Sequence, residues 1–257
     1  MATTDKKQYN SVAQQYDSVE DLPCSKIEAE LIRAALGDCA GLAVLDLGGG
    51  TGLHARRAID DANAAVVDVV DISSEMLRIG EAIEAKLGRR DRIRWLEADA
   101  ARPLGEQIGE SLRHGGYDVV MANWVFDHAT SMADLRAMWE NIAANLKPGG
   151  RFLGVRVHSL QADYMKPGKY GATFSDVEEI PGGWKYRVGF LTNPPFEFGC
   201  TSMTETLEVV DKIPRELGLV DLAVVAPEEA EVVKGDWEFW ADFVKEPNLA
   251  VVVARMA

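Results

Sequence analysis

The chain has 257 residues, of which 47% are hydrophobic and 26% charged, and this composition excludes a disordered protein. Lysine plus arginine number 27 and aspartate plus glutamate number 41, which gives a net charge of −14. Because such a charge repels polyphosphates and anionic lipid headgroups, we expect neither nucleic acid nor a membrane as the main partner.

Hydrophobic periodicity predicts helices and strands in alternation along the first 157 residues. Two helices, broken near Pro23, are expected between about Tyr9 and Leu36. The predicted strands that follow are Ala43–Leu47, Ala65–Val70, Arg92–Glu97, Tyr117–Ala122 and Arg151–Val157, and the helices between them end near Ala62 or span Ser74–Leu87 and Ala133–Leu146. Four of these strands are nearly continuous apolar runs, which is typical of a parallel sheet covered by helices on both faces. We therefore predict a doubly wound α/β fold with its ligand beyond the carboxyl ends of the strands.

The alternation stops after Val157. Residues 158–202 are rich in glycine, proline and aromatic residues, and we interpret them as a lid-like insertion of short antiparallel strands. Before this segment, a turn is predicted at Lys147–Gly150. After it, a helix is predicted from Ser202 towards Leu217, which Pro214 ends or kinks. Two further strands are predicted at Leu219–Val225 and Leu249–Ala254, with a helix between them that has Trp237, Trp240 and Val244 on one face. No boundary marks a second domain, so residues 1–257 are expected to form one domain in which residues 1–40 are an N-terminal helical cover.

The cysteines and the N-terminus carry no signal for disulfides, metal or targeting. Cys24, Cys39 and Cys200 lie far apart, without the spacing of a zinc site, so we expect no metal. The first residues lack the apolar segment of a targeting signal, and no apolar run is long enough to span a membrane. These observations favour a cytoplasmic protein.

A glycine-rich motif follows the first predicted strand, in the order Asp46-x-Gly48-x-Gly50-x-Gly52. Glycines at such a turn allow backbone N–H groups to approach a ligand closely. Gly50-x-Gly52-x-x-Ala55 also matches a dinucleotide-binding pattern, so a nicotinamide-dependent oxidoreductase is one alternative. A tight turn without a ligand is another.

Three acids follow three consecutive strands and are expected along one crevice. Asp71 ends the second strand, about 20 residues after the glycines, where an acid commonly binds ribose hydroxyls. Asp99 ends the third strand, and Asp46 ends the first. Carboxylates there disfavour a pyrophosphate and favour a ligand with hydroxyls, amines and positive charge, which are the features of S-adenosylmethionine.

At this point the sequence resembles a known family, the class I S-adenosylmethionine-dependent methyltransferases. Its successive motifs are similar to Val44–Gly52, Val70–Leu77, Glu97–Ala100, Tyr117–Val120 and Leu146–Phe152. The segment Tyr9–Asp17 resembles the opening of the small-molecule branch, and Gly235–Phe243 is similar to the ending of toxoflavin-synthase-like methyltransferases. The resemblance implies a seven-stranded, Rossmann-like sheet in the order 3-2-1-4-5-7-6 with an antiparallel last strand, and a single methyltransferase domain.

The resemblance also implies roles for individual residues around bound S-adenosylmethionine. Gly48, Gly49 and Gly50 would line the methionyl part of the cofactor, and Tyr9 and Tyr16 would close over its amino-acid end. Asp71 would bind the ribose with Ile72 against adenine, and Asp99 and Ala100 would face the adenine amine. Asn123 and Trp124 would lie beside the sulfonium. Asp46 would brace the glycine loop.

Catalytic residues are less determined by the sequence. Methyl transfer needs mainly alignment and exclusion of water, so a general base is optional. His128, just after the fourth strand, is the first candidate base for an acidic hydroxyl and His158 the second, although a packed or surface histidine fits His128 as well. His54 is expected on the helix after the glycine loop and His114 in a loop.

Several alternatives stay open. The aromatic residues between Tyr164 and Phe198 could stack on a planar or cationic substrate or form a small core of their own. The acceptor is expected to be a small molecule of unnamed identity, and the oligomeric state is not predicted. Because no catalytic residue is compelled, a non-catalytic S-adenosylmethionine-binding partner protein is a further alternative.

Overall fold

The computed structural model describes residues 2–89, 91–207 and 212–257. The helices are α1 (Ala2–Tyr16), α2 (Pro23–Leu36), α3 (Leu53–Asp60), α4 (Ser74–Lys86), α5 (Leu104–Ile108), α6 (Met132–Asn145), α7 (Thr204–Leu207), α8 (Lys212–Glu216), α9 (Glu231–Gly235) and α10 (Trp237–Lys245). The strands are β1 (Ala43–Leu47), β2 (Val66–Asp71), β3 (Ile93–Glu97), β4 (Tyr117–Met121), β5 (Leu146–Val157), β6 (Ala172–Ile180), β7 (Gly183–Phe190), β8 (Phe196–Met203), β9 (Leu219–Val224) and β10 (Leu249–Met256).

Seven strands form one sheet in the order β3-β2-β1-β4-β5-β10-β9. Strands β1 to β5 pair in parallel, whereas β10 runs antiparallel to both of its neighbours. The predicted doubly wound sheet is confirmed, as is the strand order that the resemblance implied.

The core lies on both faces of this sheet because its central strands carry apolar residues on both of their faces. Val44 of β1 packs in one layer with Ile27 of α2, while the next residue, Leu45, packs in the other layer with Trp139 of α6. All four side chains are buried. Alternation along a strand therefore sends successive apolar residues to opposite helical layers, which is why these strands read as continuous apolar runs.

Three local predictions are wrong. The segment predicted as a turn, Lys147–Gly150, lies within β5, where the register with β4 shifts because this segment bulges out. Ser202 belongs to β8 and donates its hydroxyl hydrogen bond to Asp127, so it does not cap a helix, and the course expected towards Leu217 passes through residues 208–211, outside the described residues. Trp237 is 54% exposed at the first turn of α10, whose buried residues are Trp240 and Phe243.

The segment after β5 forms a second, three-stranded antiparallel sheet in the order β6-β7-β8. This agrees with the short antiparallel strands predicted there. Its last strand lies beside the segment after β4, since the Thr201 N–H donates to the Asp127 carbonyl oxygen at 2.8 Å. The small sheet is thereby fixed at the carboxyl ends of β4 and β5.

Among the described helices, none combines the length and the apolar character that a membrane crossing requires.

Candidate functional site

A cavity lies at the carboxyl ends of β1, β2 and β4, under α1 and the three-stranded sheet. It contains about 1610 Å³ of space not filled by atoms, part of it open to solvent. All twelve residues predicted for the site line it: Tyr9, Tyr16, Gly48, Gly49, Gly50, Asp71, Ile72, Asp99, Ala100, Asn123, Trp124 and His128. The chain thus brings together residues that are up to 119 positions apart in the sequence, as Tyr9 and His128 are.

The glycine loop after β1 is packed so closely that side chains would collide. A Cβ atom on Gly49 would lie 2.6 Å from Oδ2 of Asp46, and one on Gly48 would lie 2.5 Å from the Val125 side chain. Gly48 and Gly50 have φ angles of 71° and 56°, which favour glycine. Glycine is therefore required at these positions by packing and backbone conformation, and Gly48, Gly49 and Gly50 line the cavity.

Gly52 serves packing, not ligand approach. It precedes α3 with φ of 78°, and a Cβ there would lie 2.5 Å from the Trp95 ring. The packing of Trp95 against this position therefore explains why Gly52 is a glycine, without a bound dinucleotide.

Asp46 is buried below the glycine loop. Burial raises the pKa of its carboxyl to about 7, partly offset by the nearby His54. Neither carboxylate oxygen has a hydrogen-bond partner of ordinary geometry among the described residues, although the Ala55 backbone N–H is close enough to lower the pKa. A buried acceptor of this kind at a cavity wall indicates a site for a donor group from a ligand.

Asp71 and Asp99 are oriented by backbone N–H groups. The Asp71 carboxylate accepts from Gly50 N at 2.9 Å and from Ser73 N at 2.7 Å, and burial raises its pKa. The Asp99 carboxylate accepts from Ala101 N at 2.9 Å. Each carboxylate is therefore held at the cavity by short local contacts and has lone pairs to spare.

Helix α1 covers the cavity through polar contacts along its length. Asn10 accepts from the Ser73 hydroxyl at 2.6 Å, next to Asp71. The Gln8 side chain donates to Gly199 O at 3.0 Å and accepts from Gly199 N at 3.1 Å, on the edge of β8 that faces away from β7. One helix thus joins the crevice at β2 to the three-stranded sheet.

His128 and Tyr9 form a hydrogen-bonded pair. The Tyr9 hydroxyl lies 2.6 Å from Nε2 of His128, and both side chains line the cavity. His158 does not line it, whereas His54 does, from α3, with Nε2 3.3 Å from Glu28. His114 lies outside the cavity, in the loop before β4.

The segment after β4 presents Asn123 and Trp124 to the cavity. Asn123 is buried, and its amide oxygen and nitrogen have no hydrogen-bond partner among the described residues. Trp124 has a φ of 63°, rare for a tryptophan, and its backbone N–H donates to Val155 O at 2.8 Å. The bond to β5 fixes this strained turn at the cavity.

Sequence reasoning missed Asp127, which is buried beside His128. Its carboxylate accepts from the Ser202 hydroxyl at 2.6 Å and from Val157 N at 3.2 Å, so it ties β4, β5 and β8 together at the cavity. Burial raises its pKa. An aspartate directly after Val125-Phe126 was the available signal, because an acid within an apolar segment requires partners elsewhere in the fold.

The comparisons with known proteins agree with this geometry. Residues 45–152 match a family model described as a methyltransferase domain. The CcbJ methyltransferase from Streptomyces caelestis superimposes with a TM-score of 0.65 at 20% identity, over 100% of this chain and 99% of that one. The chain has the Rossmann-like methyltransferase fold.

Two curated methyltransferases are similar over part of the sequence. The malonyl-[acyl-carrier protein] O-methyltransferase of Halalkalibacterium halodurans is 32% identical over 115 residues, which cover 43% of this chain and 37% of that protein. The ubiquinone/menaquinone biosynthesis C-methyltransferase UbiE of Paracoccus denitrificans is 29% identical over 151 residues, 56% of this chain and 55% of that protein. The chain therefore matches about half or less of the length of these relatives. Together with the fold, these matches show that the chain is similar to methyltransferases.

The cavity residues fit S-adenosylmethionine. The unpartnered oxygens of Asp46 and the unpartnered amide of Asn123 suit the ammonium and hydroxyl donors of that molecule. The backbone of Gly48, Gly49 and Gly50 lines the cavity, and a Cβ on Gly50 would meet no atom within 4 Å. In the described part of the chain no group of three or more histidine, cysteine or acidic residues is arranged to hold a metal ion.

Proposed function

We propose that the protein is an S-adenosylmethionine-dependent methyltransferase that acts on a small molecule. The observation that carries this proposal is the coincidence of the methyltransferase-domain match with a cavity lined by the glycine loop and three acids. The small-molecule branch rests on the Tyr9–Asp17 segment, and the toxoflavin-synthase-like ending on residues outside the 45–152 match, so both assignments remain part of the proposal.

In this proposal the cofactor lies along the carboxyl ends of β1 to β3. The backbone of Gly48 to Gly50 would line its methionyl part, and Asp71 would accept from the ribose hydroxyls with Ile72 against adenine. Asp99 and Ala100 would contact the adenine amine. Asn123 and Trp124 would lie beside the sulfonium, with Tyr9 and Tyr16 covering the amino-acid end.

When bound, S-adenosylmethionine would supply a methyl carbon activated by the sulfonium to which it is attached. The contribution of the chain is alignment and exclusion of water, which α1 and the three-stranded sheet provide by covering the cavity. For a hydroxyl acceptor, the Tyr9–His128 pair would take up the proton, because both side chains line the cavity and an imidazole nitrogen can act as a general base.

The cofactor part is tested by calorimetric titration with S-adenosylhomocysteine. We expect 1:1 binding to the wild type and at least about tenfold weaker binding to Asp71→Ala, since hydrogen bonds to a charged group contribute about 1.5–3 kcal/mol. Asp163→Ala is the matched control, because that carboxylate is 91% exposed and far in sequence from the cavity residues of β2. Absence of binding to the wild type would refute the proposal.

Two further measurements, a titration with NADH and a methyl-transfer assay, address the alternatives. Saturable binding of NADH in place of S-adenosylhomocysteine would favour the oxidoreductase. Binding of S-adenosylmethionine without transfer of its labelled methyl group to any component of a metabolite extract would favour the non-catalytic partner protein. We expect no NADH binding and transfer to an extract component.

A further inference from the structure

One side of the three-stranded sheet forms an apolar wall of the cavity. Val188 and Phe190 of β7 and Phe198 of β8 line the cavity, and the two phenylalanine rings lie 5.8 Å apart between centroids. Alternation along the strands places their neighbours Arg187 and Glu197 on the opposite side, where they form an ion pair at 2.5 Å. The sheet therefore separates a charged outer side from an apolar inner side.

No charged side chain of residues 158–203, all of which the structure describes, lines the cavity. Among the described lining residues, Arg57 is the one arginine or lysine, and it lies on α3, 3.5 Å from Glu20. Asp127, the carboxylate beside the apolar wall, already accepts from Ser202 and Val157. An anion placed against this wall would lose its hydration without gaining a cation. A cation would have to compete for the lining carboxylates with donors already bound to them, because Asp127 accepts from Ser202, Val157 and Tyr186 and Glu28 lies 3.3 Å from His54. Both cases are unfavourable.

A hydrogen-bonding pair lies at the edge of the same wall. The Tyr9 ring is 5.2 Å from the Phe198 ring, and the His128 ring is 6.5 Å from it. The Tyr9 hydroxyl and Nε2 of His128 are 2.6 Å apart. The wall thus offers aromatic faces for a ring and, at its edge, groups that can accept from or donate to one hydroxyl.

On the basis of the proposed methyltransferase function, we infer that the acceptor is an uncharged aromatic alcohol. Its ring packs on the wall formed by Val188, Phe190 and Phe198, and its hydroxyl meets the Tyr9–His128 pair. In the transfer, the new bond joins the hydroxyl oxygen to the methyl carbon as the carbon–sulfur bond breaks. The electron pair of the broken bond stays on sulfur, and the hydroxyl proton goes to the Tyr9–His128 pair.

Three probes that share one ring system and differ in charge test this inference. They are 2-naphthol, 2-naphthoate and 2-naphthylmethylammonium, titrated calorimetrically at pH 7 into the wild-type protein saturated with S-adenosylhomocysteine. We expect 2-naphthol to bind at least about tenfold more tightly than either ion, because one uncompensated charge outweighs the shared ring contact. Equal or tighter binding of either ion would overturn the inference, as would failure of all three to bind.

A charge introduced on the inner side should change this preference. Val188→Asp is expected to make the ammonium probe the tightest ligand, whereas Arg187→Gln, one residue away on the outer side, should leave all three affinities within about twofold. Unchanged selectivity in a folded Val188→Asp protein would contradict the inference. If that variant does not fold, Phe198→Leu decides, with 2-naphthol binding expected to weaken about two- to tenfold from loss of the aromatic contact while S-adenosylhomocysteine binding is retained.

The two levels of proposal fail in different ways. If the methyltransferase proposal is wrong, S-adenosylhomocysteine does not bind to the wild type. If only the acceptor inference is wrong, S-adenosylhomocysteine binds normally but the uncharged probe is not preferred.

Discussion

Single residues at the cavity differ in how far the sequence could reveal them. Asp71 and Asp99 were predictable because Asp71 ends β2, Asp99 lies two residues after β3, and the parallel pairing of these strands brings their carboxyl ends to one edge. Asp127 was not, because its partner Ser202 is 75 positions away and on a strand whose pairing no local pattern fixes. The contact between Tyr9 and His128 was likewise hidden, although each residue was a candidate by itself.

Asp46 should influence how stability depends on pH. Its carboxyl pKa is about 7 in the folded protein against 3.8 as the ordinary value, so between these values the folded state holds more protons than the unfolded state. The free energy of unfolding contributed by this group therefore falls as the pH rises from about 4 to about 7. Asp46→Asn should flatten this dependence, measured by urea unfolding at a series of pH values.

One other buried acid is coupled to this comparison. Burial raises the pKa of Asp127, which is present in both proteins and cancels in the difference. The Asp71 charge, however, raises the pKa of Asp46, so the difference between the two proteins reports Asp46 together with its interaction with Asp71. A difference in unfolding free energy between wild type and variant that stays constant with pH would contradict the role assigned to Asp46.

At the scale of elements, prediction succeeded where a segment's own pattern decides its structure. The bounds of β1 were predicted to the residue, and α4 within one, because apolar runs and the Ser73 cap define them locally. The prediction failed at Trp237 because the helical face of α10 is set by contacts with Tyr170, which stacks on Trp240 at 4.7 Å. Such contacts with a distant segment leave no periodic signal.

Gly80 in α4 offers a test of element packing. Replacing a helical glycine with alanine ordinarily stabilises a protein by about 0.5–1 kcal/mol. Here the added Cβ would meet the Trp95 ring and lie 2.5 Å from the carbonyl oxygen of Thr51, next to the glycine loop. We expect Gly80→Ala to lower the free energy of unfolding by about 1–3 kcal/mol, as overpacking does, when measured by chemical denaturation.

Gly105→Ala is the matched control for that experiment. Gly105 is a helical glycine of α5, and no atom lies within 4 Å of the position of its added Cβ. The control should be neutral or slightly stabilising. Equal effects of the two substitutions would show that the contact between α4 and Trp95 tolerates the extra methyl group.

At the scale of the whole molecule, the strand order could be predicted from the family resemblance, and the position of the cavity could be predicted from the strand order. The apolar wall could not be predicted, because the sequence left open whether the aromatic residues of 158–202 face a ligand or each other. The structure divides them: Phe190 and Phe198 line the cavity, whereas Tyr164 and Tyr170 pack with α10. Which side of a short strand faces inward depends on how the small sheet docks, and that is a property of the complete fold.

The net charge of −14 predicts a dependence of stability on salt. Repulsion among excess carboxylates is stronger in the folded state, where the charges are closer together. Raising NaCl from about 10 mM to 150 mM shortens the screening length from about 30 Å to about 8 Å, so the Tm should rise by about 2–4 °C for a gain of about 1 kcal/mol.

Potassium chloride at the same ionic strength serves as the control for this measurement, because screening does not depend on which monovalent cation is used. A Tm that falls with salt would mean that surface ion pairs such as Arg136–Glu216 outweigh the general repulsion.

The attachment of α1 at two places has a consequence for its motion. Asn10 secures the helix to Ser73 at the nucleoside end, and Gln8 secures it to Gly199 at the edge of the small sheet, only two residues earlier. A rigid helical turn cannot lift from one anchor without straining the other. Opening of the cavity on the side covered by α1 would then require both anchors to break together, so this helix would move as one unit and not fray residue by residue.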